Sequence, residues 1–403
     1  MKVLVFTTLY PNHLSPNFGV FVKERMTGFA RLPGHEVRVV APVPYYPPIK
    51  IGSRAKYTQI KLQEEIEGVT VYHPRYFMTP KIGMSMYGMM MYLSVLSFIN
   101  HLQREFDFDL IDSHYVYPDG FAAIKLGQYF NKPVTVSARG SDIHLFSTFP
   151  LIRRLLQYTL THADHTIAVC QALRDAMVRL HVPEEKITVI PNGVDENKFF
   201  PADKTTSREH LGLPNKKILL SVGRLEPLKG FQLLIKTLKR LREDFGKEDL
   251  YLVIVGEGPY RKELEALIAA LKLNEHVLLA GVKPHAELRK WYNAANYFCL
   301  ASEREGWPNV LLEALACGTP VIATNVWGIP EVITAEEIGI LTQREESALA
   351  HAVLHAMNKT WCIETLVQYA RARTWENVAK AVEGTFEGLM IDQQAQSCNY
   401  IMQ

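Results

Sequence analysis

Short apolar runs alternate with segments of helical period along almost the whole chain. In the first half the apolar runs are Lys2–Thr7, Glu36–Ala41, Val69–His73, Asp109–Ser113, Val134–Ser137, His165–Cys170 and Ile187–Ile190. Helical patterns such as Val20–Leu32 and Phe121–Phe130 lie between most of them. A second alternating series begins near Ile218, with strands predicted at Ile218–Val222, Leu250–Val255, Val277–Ala280, Tyr297–Leu300 and Pro320–Ala323. Two helical patterns follow Leu341, then a terminal helix over Asn377–Met390, and the polar tail Asp392–Gln403 reads as mobile. Strand–helix alternation of this kind predicts an α/β architecture with parallel sheets covered on both faces. In such sheets ligands sit beyond the carboxyl ends of the strands. The residues just after each strand therefore carry the functional information. Gly223, Gly256 and Gly281 each close a strand of the second series and suggest backbone lining one crevice.

Length and composition narrow this picture. At 403 residues the chain exceeds one ordinary core and implies two or three domains. A hydrophobic content of 48% with 21% charged residues is that of a globular protein, and a net charge of only +2 gives no reason to expect nucleic acid as a partner. Five scattered cysteines without metal-ligand spacing fit a reducing compartment and argue against structural zinc. The start, MKVLVFTTLY, reads as a first strand and not as a signal peptide. From Ile82 to Gln103 there is no Asp, Glu, Lys or Arg. That length could span a bilayer, but Gly83, Ser85, Gly88, Ser94, Ser97, Asn100 and His101 dilute it, and Met-rich helices are common in cores. Lys50, Arg54, Lys56, Lys61, Arg75 and Lys81 precede it, so residues 50–103 are a candidate for docking on an anionic membrane surface. A solvated basic face accounts for the cluster equally well.

The chemistry concentrates in Ser302–Glu331, SEREGWPNVLLEALACGTPVIATNVWGIPE. Glu305 and Glu313 flank a Gly306-Trp307-Pro308 turn that opens a helix, with Pro308 suited to a first helical position. Glu313 falls inside an otherwise apolar run, and a carboxylate there needs donors. Sugar hydroxyls would supply them. The amides around Asn309 and Val310 form an anion site at the same helix start. Taken alone, such a Glu pair is more simply read as structural, with Glu313 paired to an Arg or Lys. The surrounding residues reverse that preference.

This stretch resembles the signature of retaining glycosyltransferases of family 4, which have the GT-B fold. The match covers Glu305, the Gly-x-Pro-Asn turn, Glu313, the run Ala314-Leu315-Ala316-Cys317-Gly318-Thr319-Pro320-Val321 and the closing Gly328-Ile329-Pro330-Glu331. The resemblance extends from about residue 2 to residue 390. It implies two Rossmann-like, doubly wound parallel-sheet domains facing across a cleft. Residues 1–195 would form the acceptor-side domain and 196–372 the nucleotide-sugar domain. Residues 373–403 would be a terminal helix crossing back to the first domain, plus a polar tail.

Other strand ends fit the same family. Gly223-Arg224-Leu225-Glu226-Pro227-Leu228-Lys229-Gly230 matches its Gly-Arg-Leu-x-x-x-Lys-Gly, where Arg224 and Lys229 would reach one diphosphate. Glu257-Gly258-Pro259 and Gly281-Val282 match positions that pack the nucleotide base. Gly19 ends the loop Tyr10–Phe21, where the family places a glycine near the leaving phosphate and the acceptor. That loop lacks Gly-x-Gly-x-x-Gly, so a nicotinamide fingerprint is absent. His114 matches a histidine whose ring or backbone faces the donor sugar. Arg139-Gly140-Ser141-Asp142 stands where the family commonly has His-Gly-x-Asp, so Arg139 is a departure, while Asp142 either caps the next turn or holds sugar hydroxyls. Pro191-Asn192-Gly193-Val194-Asp195 reads as the hinge between domains. Trp327 is a second departure, at a position where the family often has glycine.

The resemblance implies transfer of a sugar from a nucleotide diphosphate sugar to an acceptor hydroxyl with retained anomeric configuration and no metal. Arg224, Lys229 and the helix-start amides would stabilise the leaving diphosphate, Glu313 the ribose and Glu305 the donor sugar's hydroxyls. A saccharide or lipid-linked acceptor in cell-surface polysaccharide or glycolipid synthesis is expected. The expected location is cytoplasmic or peripheral on the inner face of the plasma membrane. A nucleotide-sugar epimerase of the same fold and a catalytically inactive donor-binding protein are the alternatives.

Overall fold

The fold is described from a computed structural model, over residues 1–45, 55–79 and 83–401, without the side chains of 55, 56 and 394–401. It divides into two compact units, Met1–Asn192 with Trp375–Gln403, and Gly193–Thr374.

The main sheet of the first unit has eight strands among the described residues: β1 (Lys2–Phe6), β2 (Glu36–Val40), β3 (Gln63–Ile66), β4 (Val69–Tyr72), β5 (Leu110–His114), β6 (Val134–Ala138), β7 (His165–Ala168) and β8 (Ile187–Val189). Their spatial order is β8-β7-β6-β5-β1-β2-β4-β3. All neighbours are parallel except β3, which runs antiparallel to β4. The central strands are buried on both faces because helices cover both sides of the parallel sheet. Among these helices are α1 (Val20–Ala30), α2 (Tyr87–Glu105), α3 (Phe121–Phe130) and α4 (Pro150–His162). Helix α2 buries Gly88, Met91, Val95, Ile99 and Leu102 along one stripe and exposes Met86, just before it, with Met89 and Leu93. No helix among the described residues is long and apolar enough to cross a membrane.

The second unit holds β9 (Lys217–Val222), β10 (Leu250–Val255), β11 (Val277–Gly281), β12 (Tyr297–Leu300), β13 (Val321–Thr324) and β14 (Gly339–Thr342), in the order β11-β10-β9-β12-β13-β14 and parallel throughout. Two of its helices bear on the site: α5 (Phe231–Glu243) and α6 (Asn309–Ala316). Phe231, Leu234, Ile235, Leu238 and Leu241 place α5 in the core with Leu252 and Ile254 of β10. The last helix, α7 (Trp375–Ile401), returns to the first unit, where Trp375, Val378, Ala379, Val382 and Phe386 pack with Met26 and Phe29 of α1. It runs past Met390 to Ile401, so the stretch read as a mobile polar tail continues the helix. Asp392-Gln393-Gln394-Ala395-Gln396 contains neither Gly nor Pro, and nothing in it stops the helix.

Candidate active site

In each sheet the first strand of the unit lies centrally, and the chain winds outward from it in both directions. Strand β9 has β10 on one side and β12 on the other, and this reversal of strand order is where open α/β sheets bind ligands. The loops leaving β9 and β12 meet there closely. Gly230 adopts φ +72°, and a Cβ on it would lie 2.0 Å from the carbonyl oxygen of Ala301. The Glu303 amide donates to the Leu228 carbonyl at 2.8 Å. Lys229 Nζ donates to Glu305 Oε1 at 2.6 Å, and Ser302 Oγ donates to the same oxygen at 2.7 Å. Lys229 and Glu305, 76 residues apart in sequence, are thus held side by side, both partly shielded from solvent.

Two helices begin beside this pair. Helix α5 starts directly after Gly230 and α6 after Pro308, and neither start is closed by a side-chain cap. The amides of a first turn lack intrahelical partners and carry the positive end of the helix dipole. Sequence and fold together therefore bring a lysine, a carboxylate and two helix starts to the switch point. The ends of β9, β10 and β11 are stitched by Gly223 N–H to Val255 O, Leu225 N–H to Glu257 O, and Gly256 N–H to Gly281 O, each at 3.0 Å. This places Gly223, Glu257, Gly258 and Gly281 along one edge of backbone.

Not every candidate side chain joins the Lys229–Glu305 pair. Arg224 is largely exposed and bonds Glu226 at 2.5 Å. The Glu257 carboxylate pairs with Arg261 at 3.1 Å. Glu313 is buried on α6, as its apolar surroundings require, and its donors are protein groups: Tyr292 O–H to Oε2 at 2.7 Å, with His285 Nε2 2.9 Å from Oε1. Among the described residues neither an Arg nor a Lys forms an ion pair with it. Burial and the adjoining carboxylate push the Tyr292 phenol well above its ordinary range, so it stays a donor. Tyr292 and His285 carry no motif, and pattern reading had no means of finding them. Val310 lies half-buried with Asn309 in the first turn of α6. Trp327 holds φ +48° next to Gly328, whose amide donates to the Glu305 carbonyl at 3.1 Å, and the Arg304 guanidinium lies 5.5 Å from its ring centre.

In the first unit the switch point lies between β1 and β5. Thr7 Oγ1 donates to the His114 carbonyl at 3.0 Å, and Asp119 accepts from Thr8 through both its amide, at 2.5 Å, and its hydroxyl, at 2.9 Å. Burial lifts Asp119 to about 7, against these bonds. Gly19, at φ +66°, has the Leu9 carbonyl 2.3 Å from where a Cβ would stand, so only glycine fits at the start of α1. His114, expected to line the site, is completely buried. Its Nδ1 accepts from Arg139, and its Nε2 stands 3.0 Å from Asp112 without hydrogen-bond alignment. Burial, together with nearby Arg139 and Arg25 and in spite of Asp112, lowers it to about 4, so it is neutral near pH 7. Asp142 accepts the amides of Val116, Arg139 and Gly140 at 3.0, 3.0 and 2.8 Å, so it ties the residues before it to the Val116 loop, and the short helix Ser141–His144 that contains it starts without a side-chain cap. Arg25 is fully buried on α1, a charged residue at a core position, and that anomaly was readable between Val22, Met26 and Phe29.

Residues 19–198 match the family described as Glycosyltransferase Family 4, and residues 203–373 match Glycosyl transferases group 1. The chain belongs to the family-4 glycosyltransferases. This glycosyltransferase is 27% identical over 362 residues to TuaC of Bacillus subtilis (strain 168), a glycosyltransferase named for teichuronic acid biosynthesis, with 88% of each chain covered. It superposes on a sucrose-phosphate synthase from Thermosynechococcus elongatus with a TM-score of 0.80 at 20% identity, covering 97% of this chain and 99% of that one. The Anabaena protein Alr3699/HepE in complex with UDP-glucose gives 0.74 at 18% identity, covering 96% and 100%. These likenesses establish the GT-B fold, two Rossmann-like domains.

Proposed function

We propose that this glycosyltransferase is a retaining, metal-independent enzyme that uses a nucleotide diphosphate sugar. The observation that carries the reading is the Lys229–Glu305 contact at the switch point of the second sheet. A cation beside a carboxylate suits a ligand that is anionic at one end and hydroxylated at the other. Lys229, Arg224 and the starts of α5 and α6 would hold the diphosphate, each charge-assisted bond supplying roughly 1.5–3 kcal/mol. Glu305 would accept the donor sugar's hydroxyls and Glu313 those of the ribose. Gly19, Gly223, Gly258 and Gly281, with Glu257, would let backbone approach the donor, and His114 would act as an orienting group. The bond from the anomeric carbon to the phosphate oxygen breaks as the acceptor oxygen bonds the same face. The acceptor's proton passes to the leaving phosphate, so no covalent enzyme intermediate is needed.

We further infer a saccharide or lipid-linked acceptor and peripheral attachment to an anionic membrane, facing the cytoplasm. Exposed Met86, Met89 and Leu93 support this, as do exposed Leu151, Arg153 and Arg154 on α4, against which the turn Met84–Met86 packs. Of the basic residues first considered, Lys61 is exposed, whereas Arg75 is turned inward onto the carbonyls of Ile60 and His73. Lys50, Arg54 and Lys81, and the side chain of Lys56, lie outside the described residues.

The test is a transfer assay in EDTA with the product anomer read by NMR. An α-linked product from an α-linked donor supports the proposal. An inverted product, a strict requirement for divalent metal, or release of an isomerised free nucleotide sugar would each overturn it. Sedimentation with phosphatidylglycerol vesicles, compared with phosphatidylcholine, tests the membrane attachment.

A further inference from the structure

Two guanidinium groups stand at the carboxyl end of the first unit's sheet without an acid in ion-pair contact among the described residues. Arg139 follows β6. Its Nη1 donates to Asn192 Oδ1 at 3.1 Å, its Nη2 to His114 Nδ1, and the Phe21 ring centre lies 5.2 Å from its Cζ. Its Nε is buried and has no partner. Arg25 donates to Ser137 Oγ at 3.4 Å and to the Ile190 carbonyl at 3.0 Å, and its Nε is also unpartnered. Among the described residues neither arginine forms an ion pair within 4.0 Å. The nearby acids act on them only from beyond that distance: Asp142 accepts three backbone amides, and Asp112 accepts from Thr135 at 2.7 Å while its other oxygen has no hydrogen bond among the described residues.

A buried cation without an acid partner is costly, and two of them are costlier. Burial, with Arg25 beside it, weakens Arg139's hold on its proton against Asp112 and Asp142, and burial brings Arg25 down to about 10 against Asp112. Arg25 is sealed from solvent, but Arg139 is only half-buried and can meet a ligand. Its contacts to Asn192, His114 and Phe21 fix the plane of its fork. A fixed guanidinium plane is what two-pronged binding of a carboxylate or phosphate needs. A neutral histidine at this position would bring neither the charge nor the fork.

We propose that Arg139 binds an anionic group, a carboxylate or a phosphate, carried by one of the substrates, with Arg25 adding positive potential from beneath. The word substrate rests on the glycosyltransferase reading; the anion site itself does not. A neutral hexose would leave Arg139 unmatched, whereas a uronic acid or a phosphorylated sugar would satisfy it.

Calorimetric titration of the whole protein tests this in two arms. The donor arm compares UDP-glucuronate with UDP-glucose. The acceptor arm titrates glucuronate, inorganic phosphate and glucose separately, without nucleotide. The expected result is a preference of at least tenfold for the anionic ligand in one arm, which identifies the substrate that bears the charge. Arg139→Gln should abolish that preference and Arg139→Lys retain only part of it. UDP affinity, a property assigned to the second unit, should stay within twofold in both variants and so certify that they fold. No preference in either arm of the wild type, or a preference that survives Arg139→Gln, overturns the proposal. Should UDP fail to bind while glucuronate or phosphate binds through Arg139, the donor-site reading falls and the anion site stands.

Discussion

Replacing Gly230 by alanine tests whether the contact between the β9 and β12 loops builds the site. Gly230 sits at φ +72°, where an L-residue pays about 1–2 kcal/mol. The added Cβ would also lie 2.0 Å from the Ala301 carbonyl oxygen, against a practical minimum of 3.0 Å, so the two loops must part by about 1 Å. The combined cost is about 2–4 kcal/mol, which for a unit of this size lowers Tm by roughly 4–16 °C. The functional cost follows from the neighbours. Lys229 precedes Gly230 and Glu305 follows Ala301 on the opposing loop, so the same displacement separates the 2.6 Å pair. A misplacement of about 1 Å can lower a rate by about a hundredfold. Gly246→Ala is the matched control: φ is +61°, but nothing lies within 4 Å of its Cβ. It should lose only the backbone term and leave donor affinity unchanged. The assay is kcat/KM for transfer with donor Kd by calorimetry, alongside thermal unfolding of both variants. Wild-type turnover and affinity in Gly230→Ala would refute the reasoning.

Three further outcomes follow from the same contacts. Tyr292→Phe removes a buried bond to the Glu313 carboxylate and should cost about 1.5–3 kcal/mol in chemical denaturation, with nucleotide Kd rising a few-fold; an unchanged midpoint would contradict it. His114, depressed to about 4 by burial, binds its proton less readily folded than unfolded. Its contribution is therefore intact above about pH 6.5 and lost as pH falls toward 4, amounting to about 3 kcal/mol. The difference between wild type and His114→Gln across that range cancels other titrating groups, including the oppositely shifted Asp119, and a flat difference would refute it. Replacing Met89 and Leu93 together by Ser should reduce binding to anionic vesicles at least fivefold while transfer to a soluble acceptor persists; equal vesicle binding would count against that face.

Much of the architecture was legible in the sequence because parallel strands buried on both faces are written as continuous apolar runs. Leu250–Val255 and Tyr297–Leu300 fall where the runs placed them. Strand β3, Gln63–Ile66, left no such trace, because an edge strand paired on one side can carry Gln and Glu. Strand β14 was missed because its apolar content is only Ile340 and Leu341 between a glycine and a threonine. The motif around Glu305 and Glu313 marked the right loop and helix, yet not their partners. Lys229 meets Glu305 only because strand order reverses at β9, and Glu313 is met by Tyr292 and His285 from another helical segment. Arg224 has the spacing to share a ligand with Lys229, but its side chain is turned to Glu226. Long-range pairing of this kind depends on topology, which local pattern does not encode.

The most direct measurement is calorimetric titration of UDP, GDP and ADP into the wild type and Lys229→Ala, with EDTA present. The account predicts saturable binding of at least one of these nucleotides, weakened about tenfold to a hundredfold by the loss of one charge-assisted contact to the diphosphate. Equal affinity in the folded variant, or no binding of any of the three to the wild type, would contradict a donor site built on Lys229 and Glu305.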